Sequence, residues 1–234
     1  MSTEAPNPAS QTSSAKERGL VVLFFSLLFL LVSYPMFANR EIAALVLDII
    51  FSLILVTSTY VVSHQRKVLI AALALGVPTL ASWWAVRVVA SPGVDVVGLS
   101  LSAAFFSFVV TVIMRSILSR TDVTVDVIFG AMSVYLLIGV TFTFIFAIVE
   151  ISNPGSFDFS SLGSEAIASA RHGELRFLSY FSLVTLSTLG YGDITPISPM
   201  ARSLASLEAL TGQLYIAVLV ARLVGIHISQ KQSR

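Results

Sequence analysis

The chain contains 234 residues, of which 56% are hydrophobic and 12% are charged. The charged share is about half of the roughly 25% found in soluble domains, so the composition argues against a soluble protein and indicates a membrane protein. A formal net charge of +1 argues against a nucleic-acid partner, and the absence of cysteine excludes disulfides, thiolate metal sites and thiol catalysis. The three histidines, His64, His172 and His227, lack metal-ligand spacing, so we expect no bound metal and no cofactor.

A polar tail and four apolar segments make up the first half of the chain. Residues 1–18 are rich in Ser, Ala and Pro, and we predict that they form a disordered cytoplasmic tail. A membrane span needs about 20 apolar residues. Segments of that length lie at about 19–37, 42–63, 68–90 and 94–118. They predict a four-helix transmembrane domain over residues 19–118, with a possible kink at Pro78 and a linker at 119–124.

Two further spans are predicted in the second half, at about 125–151 and 200–228. Pro199, after Ser198 as a possible cap, is typical of a helix start. Within the long connector between these spans, residues 175–187 are apolar and helix-length but too short to cross a membrane. Such a segment between two full spans indicates a re-entrant helix. We therefore predict a pore domain over residues 125–228, with 229–234 as a short cytoplasmic tail.

Basic residues are unevenly distributed between the two sides of the predicted spans. With the N-terminus inside, the cytoplasmic ends carry more Lys and Arg than the outer ends, among them Arg66, Lys67 and Arg120. The positive-inside rule therefore predicts a multi-pass protein of the cell (plasma) membrane with both termini in the cytoplasm.

The segment that follows the re-entrant helix reads Thr188-Leu189-Gly190-Tyr191-Gly192-Asp193. A potassium ion sheds its water only where other oxygens replace it, and backbone carbonyls can do so when they point into one narrow tube. Successive carbonyls point one way only when the backbone dihedrals alternate in a manner that L-residues resist, and glycine relieves this strain at Gly190 and Gly192. Thr188 can add a hydroxyl oxygen at the inner end, and Tyr191 can brace the tube from outside.

The residues around this segment can support it. The C-terminal end of the re-entrant helix carries roughly half a negative charge, which favours a cation behind the filter. Tyr180 and Phe181 lie on this helix, where aromatic rings can wedge the filter in place. Asp193 lies just outside the tube and can anchor it or concentrate cations at its mouth.

The run from Tyr180 to Pro196, with its filter sequence, resembles the pore loop of potassium channels. The resemblance implies that K+ is coordinated by oxygens of Thr188, Leu189, Gly190 and Tyr191, with Gly192 allowing the chain to turn outward. Residues 212–225 resemble the inner helix of small prokaryotic potassium channels, which implies a hinge at Gly212 and a gate or pore-lining position at Ala217. Val184 stands where some of these channels carry a Glu that pairs with the outer Asp.

Together these features predict an all-α membrane protein with six transmembrane helices per subunit and a re-entrant pore helix and filter between helices 5 and 6. One chain supplies one filter strand, so we expect three identical partner subunits in a homotetramer, surrounded by membrane lipid. K+ would be the permeant ion and no reaction would be catalysed. The fourth span has no basic residue before Arg115, near its cytoplasmic end, which predicts weak voltage dependence.

Several features leave alternatives open. Gly212 can be a hinge or a packing glycine, since small residues let membrane helices approach closely. Glu208 can tune the pore or form a buried structural hydrogen bond, and Gln213 can face the cavity or a neighbouring helix. Asp48 and Arg87 have similar predicted depths and can form an ion pair. Trp83 and Trp84 are interpreted as lipid- or interface-facing rings.

Three other functions are alternatives to a potassium channel. The run Gly190–Asp193 fits the Gly-x-Gly-Asp motif of intramembrane aspartyl proteases, whose chemistry needs a second aspartate, and Asp48 is the only aspartate deep in a predicted span. A potassium-transporter subunit would resemble four pore repeats in one chain, whereas this chain has one filter. A silent subunit of a heteromeric channel is the third alternative.

Overall fold

The computed structural model describes residues 8–33, 40–62, 66–86, 91–120, 124–161 and 175–232. Its helices are α1 (Pro8–Ser33), α2 (Arg40–Val62), α3 (Arg66–Val86), α4 (Pro92–Leu118), α5 (Val125–Ser152), α6 (Leu175–Leu186) and α7 (Pro199–Gln232). Two short strands, β1 (Phe157–Asp158) and β2 (Thr195–Pro196), pair antiparallel, with Phe157 opposite Pro196. The described residues are therefore mostly helical, as predicted.

Four of these helices are long and apolar enough to cross a membrane: Arg66–Ala85, Gly93–Leu118, Val125–Ser152 and Pro199–Arg222. In α1 and α2 the apolar stretches found among the described residues are shorter, at Gly19–Leu31 and Ile49–Val61. The count of six spans therefore remains a prediction. α6 has 12 residues, about 18 Å of helix, and is too short for a hydrocarbon layer of about 30 Å.

The N-terminal helix differs from the prediction. α1 begins at Pro8, so residues 8–18, which were predicted to belong to a disordered tail, are helical. The Ala, Lys and Glu of this stretch extend the apolar helix toward its N-terminus, which is easier than starting a new one because nucleation is the costly step.

An aromatic cluster joins the first four helices to α5. Phe51 of α2, Phe106 of α4 and Phe144 of α5 have ring centroids 5.6–5.8 Å apart. Trp83 of α3 lies 4.2 Å from Phe51 and donates a hydrogen bond from its indole nitrogen to Ser102, at 3.0 Å. The interpretation of Trp83 as a lipid-facing ring is therefore wrong. Adjacent helical residues point in different directions, and its neighbour Trp84 is exposed.

The connector after α5 is held by a buried carboxylate. Glu150 is fully buried at the end of α5 and accepts hydrogen bonds from the backbone nitrogens of Gly155 (2.9 Å) and Phe157 (3.1 Å). Farther along, the backbone nitrogen of Ile197 donates to the carbonyl of Ser156 at 2.8 Å. These bonds and the β1–β2 pair tie the chain before α7 to the end of α5, and so fix the outer end of the filter segment.

Candidate ion-conduction site

The filter begins where α6 ends, and the helix ends in a Schellman motif. The backbone nitrogen of Leu189 donates to the carbonyl of Val184 at 2.9 Å, and that of Thr188 donates to the carbonyl of Thr185 at 3.0 Å. This pair of bonds requires a residue in the left-handed conformation just after the helix, a place that glycine usually occupies. Here Thr188 occupies it, with a φ of 57°.

The sign of φ alternates along the filter. Thr188, Gly190 and Gly192 have φ values of 57°, 58° and 76°, whereas Leu189 and Tyr191 between them do not have positive φ. The alternation that the two glycines predict is therefore present, and it includes a third residue that the sequence did not indicate. A β-branched residue at positive φ is an outlier that costs about 1–3 kcal/mol, and such strain persists only where the surroundings impose it.

The outer end of the filter is anchored to α6 through Asp193. The hydroxyl of Tyr180 donates to Asp193 Oδ2 at 2.6 Å, and the backbone nitrogen of Ile194 donates to Asp193 Oδ1 at 3.1 Å. The hydrogen bond to Asp193, with a smaller contribution from burial, raises the pKa of Tyr180 to about 12. Ser161 also donates to the Asp193 carbonyl. Tyr180 and Asp193 are thus joined by a hydrogen bond, and the supporting role predicted for them stays a prediction.

Phe181, the other aromatic residue predicted to support the filter, faces the interior. Its ring centroid lies 5.1 Å from that of Phe146 on α5 and 5.2 Å from that of Phe157 on β1, both edge to face. This geometry is the favourable one for aromatic pairs. Phe181 therefore packs α6 against α5 and the connector, and its role in supporting the filter stays a prediction.

One side of the filter is open in the single chain. Tyr191 is 66% exposed and Leu189 is 59% exposed, so the described part of the chain leaves more than half of each residue's surface uncovered. The bracing role predicted for Tyr191 stays a prediction.

Gly212 lies where α7 meets the end of α6. A Cβ atom built on Gly212 would overlap the carbonyl oxygen of Leu186 and would lie 2.9 Å from Leu186 Cδ1. The same carbonyl accepts a hydrogen bond from the hydroxyl of Tyr135 on α5, at 3.2 Å. The three helices of the pore region therefore meet at the last turn of α6. Packing gives Gly212 a reason to be glycine, and α7 runs through it as one helix; the hinge stays a prediction.

The side chain of Gln213 reaches the filter. Its Nε2 donates to Thr188 Oγ1 at 3.2 Å, a contact with the filter segment that neither of the two predicted orientations named. On the same helix, Ala217 is exposed in the single chain, as a pore-lining residue would be, and its role in gating stays a prediction.

Glu208 is fully buried one turn before Gly212 and contacts α6. The hydroxyl of Ser182 lies 2.5 Å from Glu208 Oε1 and 2.7 Å from the carbonyl oxygen of Gly139 on α5. This hydroxyl has one proton and a carbonyl only accepts, so both contacts are hydrogen bonds when Ser182 donates to Gly139 and a protonated Glu208 donates to Ser182. Glu208 Oε2 has no hydrogen-bond partner among the described residues. Glu208 therefore joins α5, α6 and α7.

Sequence reasoning missed Ser182, Tyr135 and Tyr215, whose hydroxyls connect the helices of the pore region. Tyr215 of α7 donates to the carbonyl of Ala131 on α5 at 2.5 Å. A polar atom within an apolar span is the signal that marks such residues, because it needs a partner there. The side chains of Asp48 and Arg87 lie outside the described residues, and the predicted ion pair between them stays a prediction. Among the residues that the structure describes, no cluster of His, Asp and Glu is arranged to hold a metal ion.

Known proteins match the part of the chain that contains α6, the filter segment and α7. A family model described as "Ion channel" matches residues 177–227. The chain is 44% identical over 54 residues, 23% of its length, to the inward rectifier potassium channel Kirbac3.1 of Paramagnetospirillum magnetotacticum. It is 36% identical over 90 residues, 38% of its length, to the two pore potassium channel c of Oryza sativa subsp. japonica. These matches span 18% and 16% of the two relatives.

A third relative is matched over most of its own length. The chain is 32% identical over 129 residues to protein LctB of Bacillus caldotenax. The aligned residues make up 52% of this chain and 93% of that protein. No solved structure matches the chain. The family match begins within α6, includes the whole filter and continues into α7, so it coincides with the geometry described above. It indicates a transport protein of the membrane rather than an enzyme. The chain belongs to the potassium channel family.

Proposed function

We propose that four copies of this chain form a pore that selects K+ over Na+ and conducts it passively across the plasma membrane. Both termini would lie in the cytoplasm, and the six predicted spans of each subunit would surround the pore. The observation that carries this proposal is the alternation of φ at Thr188, Gly190 and Gly192. Alternating dihedrals turn successive carbonyls toward one side of the strand, where they can replace the water around a potassium ion.

The open face of the filter supports a tetramer. Leu189 and Tyr191 are more than half exposed in one chain, and a single strand of carbonyls encloses no ion. Closed rotational symmetry is the usual arrangement of identical subunits, and four strands around one axis form a tube. Light scattering of the purified protein should therefore give a mass of four chains once detergent is subtracted. A monomer that transports K+ would contradict the tetramer.

Flux into liposomes tests the filter directly. Purified protein is reconstituted and uptake is measured with a potassium gradient and then with a sodium gradient. We expect potassium uptake that barium blocks, with little sodium uptake. Gly190→Ala should abolish conduction or selectivity, because alanine resists a φ of 58°. Unchanged potassium selectivity in this variant would refute the filter assignment.

A second glycine provides a matched control. Gly155 in the connector has a φ of 87°, and a Cβ atom built there meets nothing within 4 Å, as at Gly190. Gly155→Ala therefore introduces a similar backbone strain away from the filter. We expect it to retain selective potassium uptake, which would show that the effect at Gly190 comes from its place in the filter.

Weak voltage dependence is part of the proposal. A voltage sensor needs several basic residues within the membrane, whereas α4 carries Arg115 in its last turn and no basic residue before it. Currents recorded in planar bilayers should change little with voltage beyond the change in driving force. Steep activation that carries several elementary charges per subunit would contradict this expectation.

A further inference from the structure

The contact between Gln213 and Thr188 joins the inner helix to the inner end of the filter. Gly212 has no side chain, so α7 lies directly against the carbonyl of Leu186 at the end of α6. This close approach places the next residue, Gln213, with its amide nitrogen 3.2 Å from Thr188 Oγ1. The two residues are 25 positions apart in the chain, so only the packing of α7 on α6 brings them together.

Thr188 is the filter residue whose conformation most needs support from outside. It has a φ of 57° without being glycine, and its side chain is β-branched. Its backbone nitrogen is bonded to Thr185, within the end of α6. Gln213 supplies a hydrogen bond to its side chain from another helix, and this bond favours one rotamer of the hydroxyl.

The hydrogen-bond capacity of the hydroxyl leaves room for an ion. A threonine hydroxyl has two acceptor lone pairs and one proton. The Gln213 amide occupies one lone pair and leaves the other able to face a cation at the inner end of the filter. Rotation of Thr188 about χ1 would turn that lone pair away and break the bond to Gln213.

We propose that Gln213 is a positioning residue, which orients the Thr188 hydroxyl and so sets the cation affinity at the inner end of the filter. This inference rests on the proposed function of the chain as a potassium pore. The contact that determines specificity would then come from α7, outside the filter segment.

The variant Gln213→Met tests the proposal, because methionine retains the length of the side chain and removes the amide. Wild-type protein and variant are compared in liposomes by the barium concentration that halves potassium uptake. Barium is a hard cation that binds oxygen ligands, as does potassium. We expect the variant to need about fivefold more barium, the factor that corresponds to one neutral hydrogen bond. The control is Thr211→Val, which should leave the block unchanged. Among the described residues, the Thr211 hydroxyl donates to the carbonyl of Leu207 in its own helix, at 2.7 Å, and to no other helix.

A double-mutant cycle separates positioning from general packing. Barium binding to the purified protein is measured by titration calorimetry, with Thr188→Val as a background that lacks the hydroxyl. We expect Gln213→Met to weaken binding in the Thr188 protein and to change nothing in that background. Equal weakening in both backgrounds would overturn the proposal, because a merely structural role does not depend on the hydroxyl.

The outcomes also separate this inference from the proposed function. If the wild-type protein carries no potassium, the proposed function fails. If it carries potassium and barium blocks Gln213→Met as strongly as wild type, the pore stands and the role of Gln213 is refuted. Should Gln213→Met not assemble, Gln213→Leu serves as the second variant, and the same fivefold loss is expected.

Discussion

The close contact between Gly212 and the end of α6 can be tested by adding one methyl group. In Gly212→Ala the new Cβ atom would overlap the carbonyl oxygen of Leu186 and lie 2.9 Å from Leu186 Cδ1 and 3.2 Å from the carbonyl carbon. Rotation of the leucine side chain relieves the contact with Cδ1. It does not relieve the overlap with the carbonyl, because that group belongs to the backbone of α6. The two helices must therefore move apart.

The size of the effect follows from these distances. Carbon atoms pack best at about 3.5–4.0 Å, so the contact at 2.9 Å is roughly 0.6 Å too short. Overpacking of this kind typically costs about 1–3 kcal/mol. Alanine is the better helix former by about 1 kcal/mol, which partly offsets the cost. Separation of α7 from α6 would also lengthen the bond between Gln213 and Thr188.

Gly225 provides the matched control for this prediction. It lies on the same helix, and a Cβ atom built there meets nothing within 4 Å. Gly212→Ala and Gly225→Ala gain the same helix propensity, so the difference in stability between them measures the overlap alone. We expect Gly212→Ala to be less stable by about 1–3 kcal/mol. Thermal unfolding in detergent, followed by the loss of the assembled form, measures this difference, and potassium uptake should fall in Gly212→Ala only.

A stable Gly212→Ala protein would refute this reasoning. If the two variants unfold at the same temperature, Gly212 does not pack as described, and a change in gating alone would then favour the hinge. Leu186→Ala, added to Gly212→Ala, should not restore stability, because the carbonyl that causes the overlap is still present.

The remaining predictions concern the two side chains that tie α6 to its neighbours. Glu208→Gln should retain most of the stability, since its amide can still donate to Ser182. Glu208→Ala should lose about 1–3 kcal/mol, because the bond to Ser182 is lost and truncation of a fully buried side chain leaves a cavity between the helices. Equal unfolding temperatures for the two variants would contradict this. Tyr180→Phe should shorten the time over which potassium uptake persists, because Asp193 loses its bond to α6. The pKa of Tyr180 is raised from 10.0 to about 12, so the hydrogen bond to Asp193 stabilises the fold fully below pH 10.0 and this stabilisation is lost as the pH rises toward about 12. In that interval, and not at lower pH, wild-type protein should behave like Tyr180→Phe.

Helix positions followed from local signals in the sequence. The apolar runs predicted α5 from Val125, where the structure begins this helix, and a short helix over 175–187, where the structure has α6 (Leu175–Leu186). Ser198 caps α7 as predicted, since its hydroxyl accepts a hydrogen bond from the backbone nitrogen of Ala201 at 3.2 Å. Residues 8–18 were predicted to belong to a tail because the same polar residues suit a solvated tail and the extension of a helix that is already nucleated.

The filter segment could be predicted from the sequence because the signals for it are local. Glycine spacing, a short apolar helix before it and a span after it all lie within a few dozen residues, and each acts on its own neighbourhood. The alternation of φ at Gly190 and Gly192 was predicted on these grounds and is confirmed. The left-handed Thr188 was not predicted, since no local rule favours a β-branched residue there.

The contacts that hold the filter were decided by the tertiary structure. Gln213 reaches Thr188, Glu208 reaches Ser182, and Gly212 packs on Leu186, each across 25 or 26 positions of the chain. Helical periodicity gives the direction of a side chain relative to its own helix only. Which helix lies opposite, and at what distance, depends on how α5, α6 and α7 fit together. The sequence by itself therefore determined the chemistry of the pore, and the packing of these three helices decided which residues hold it in place.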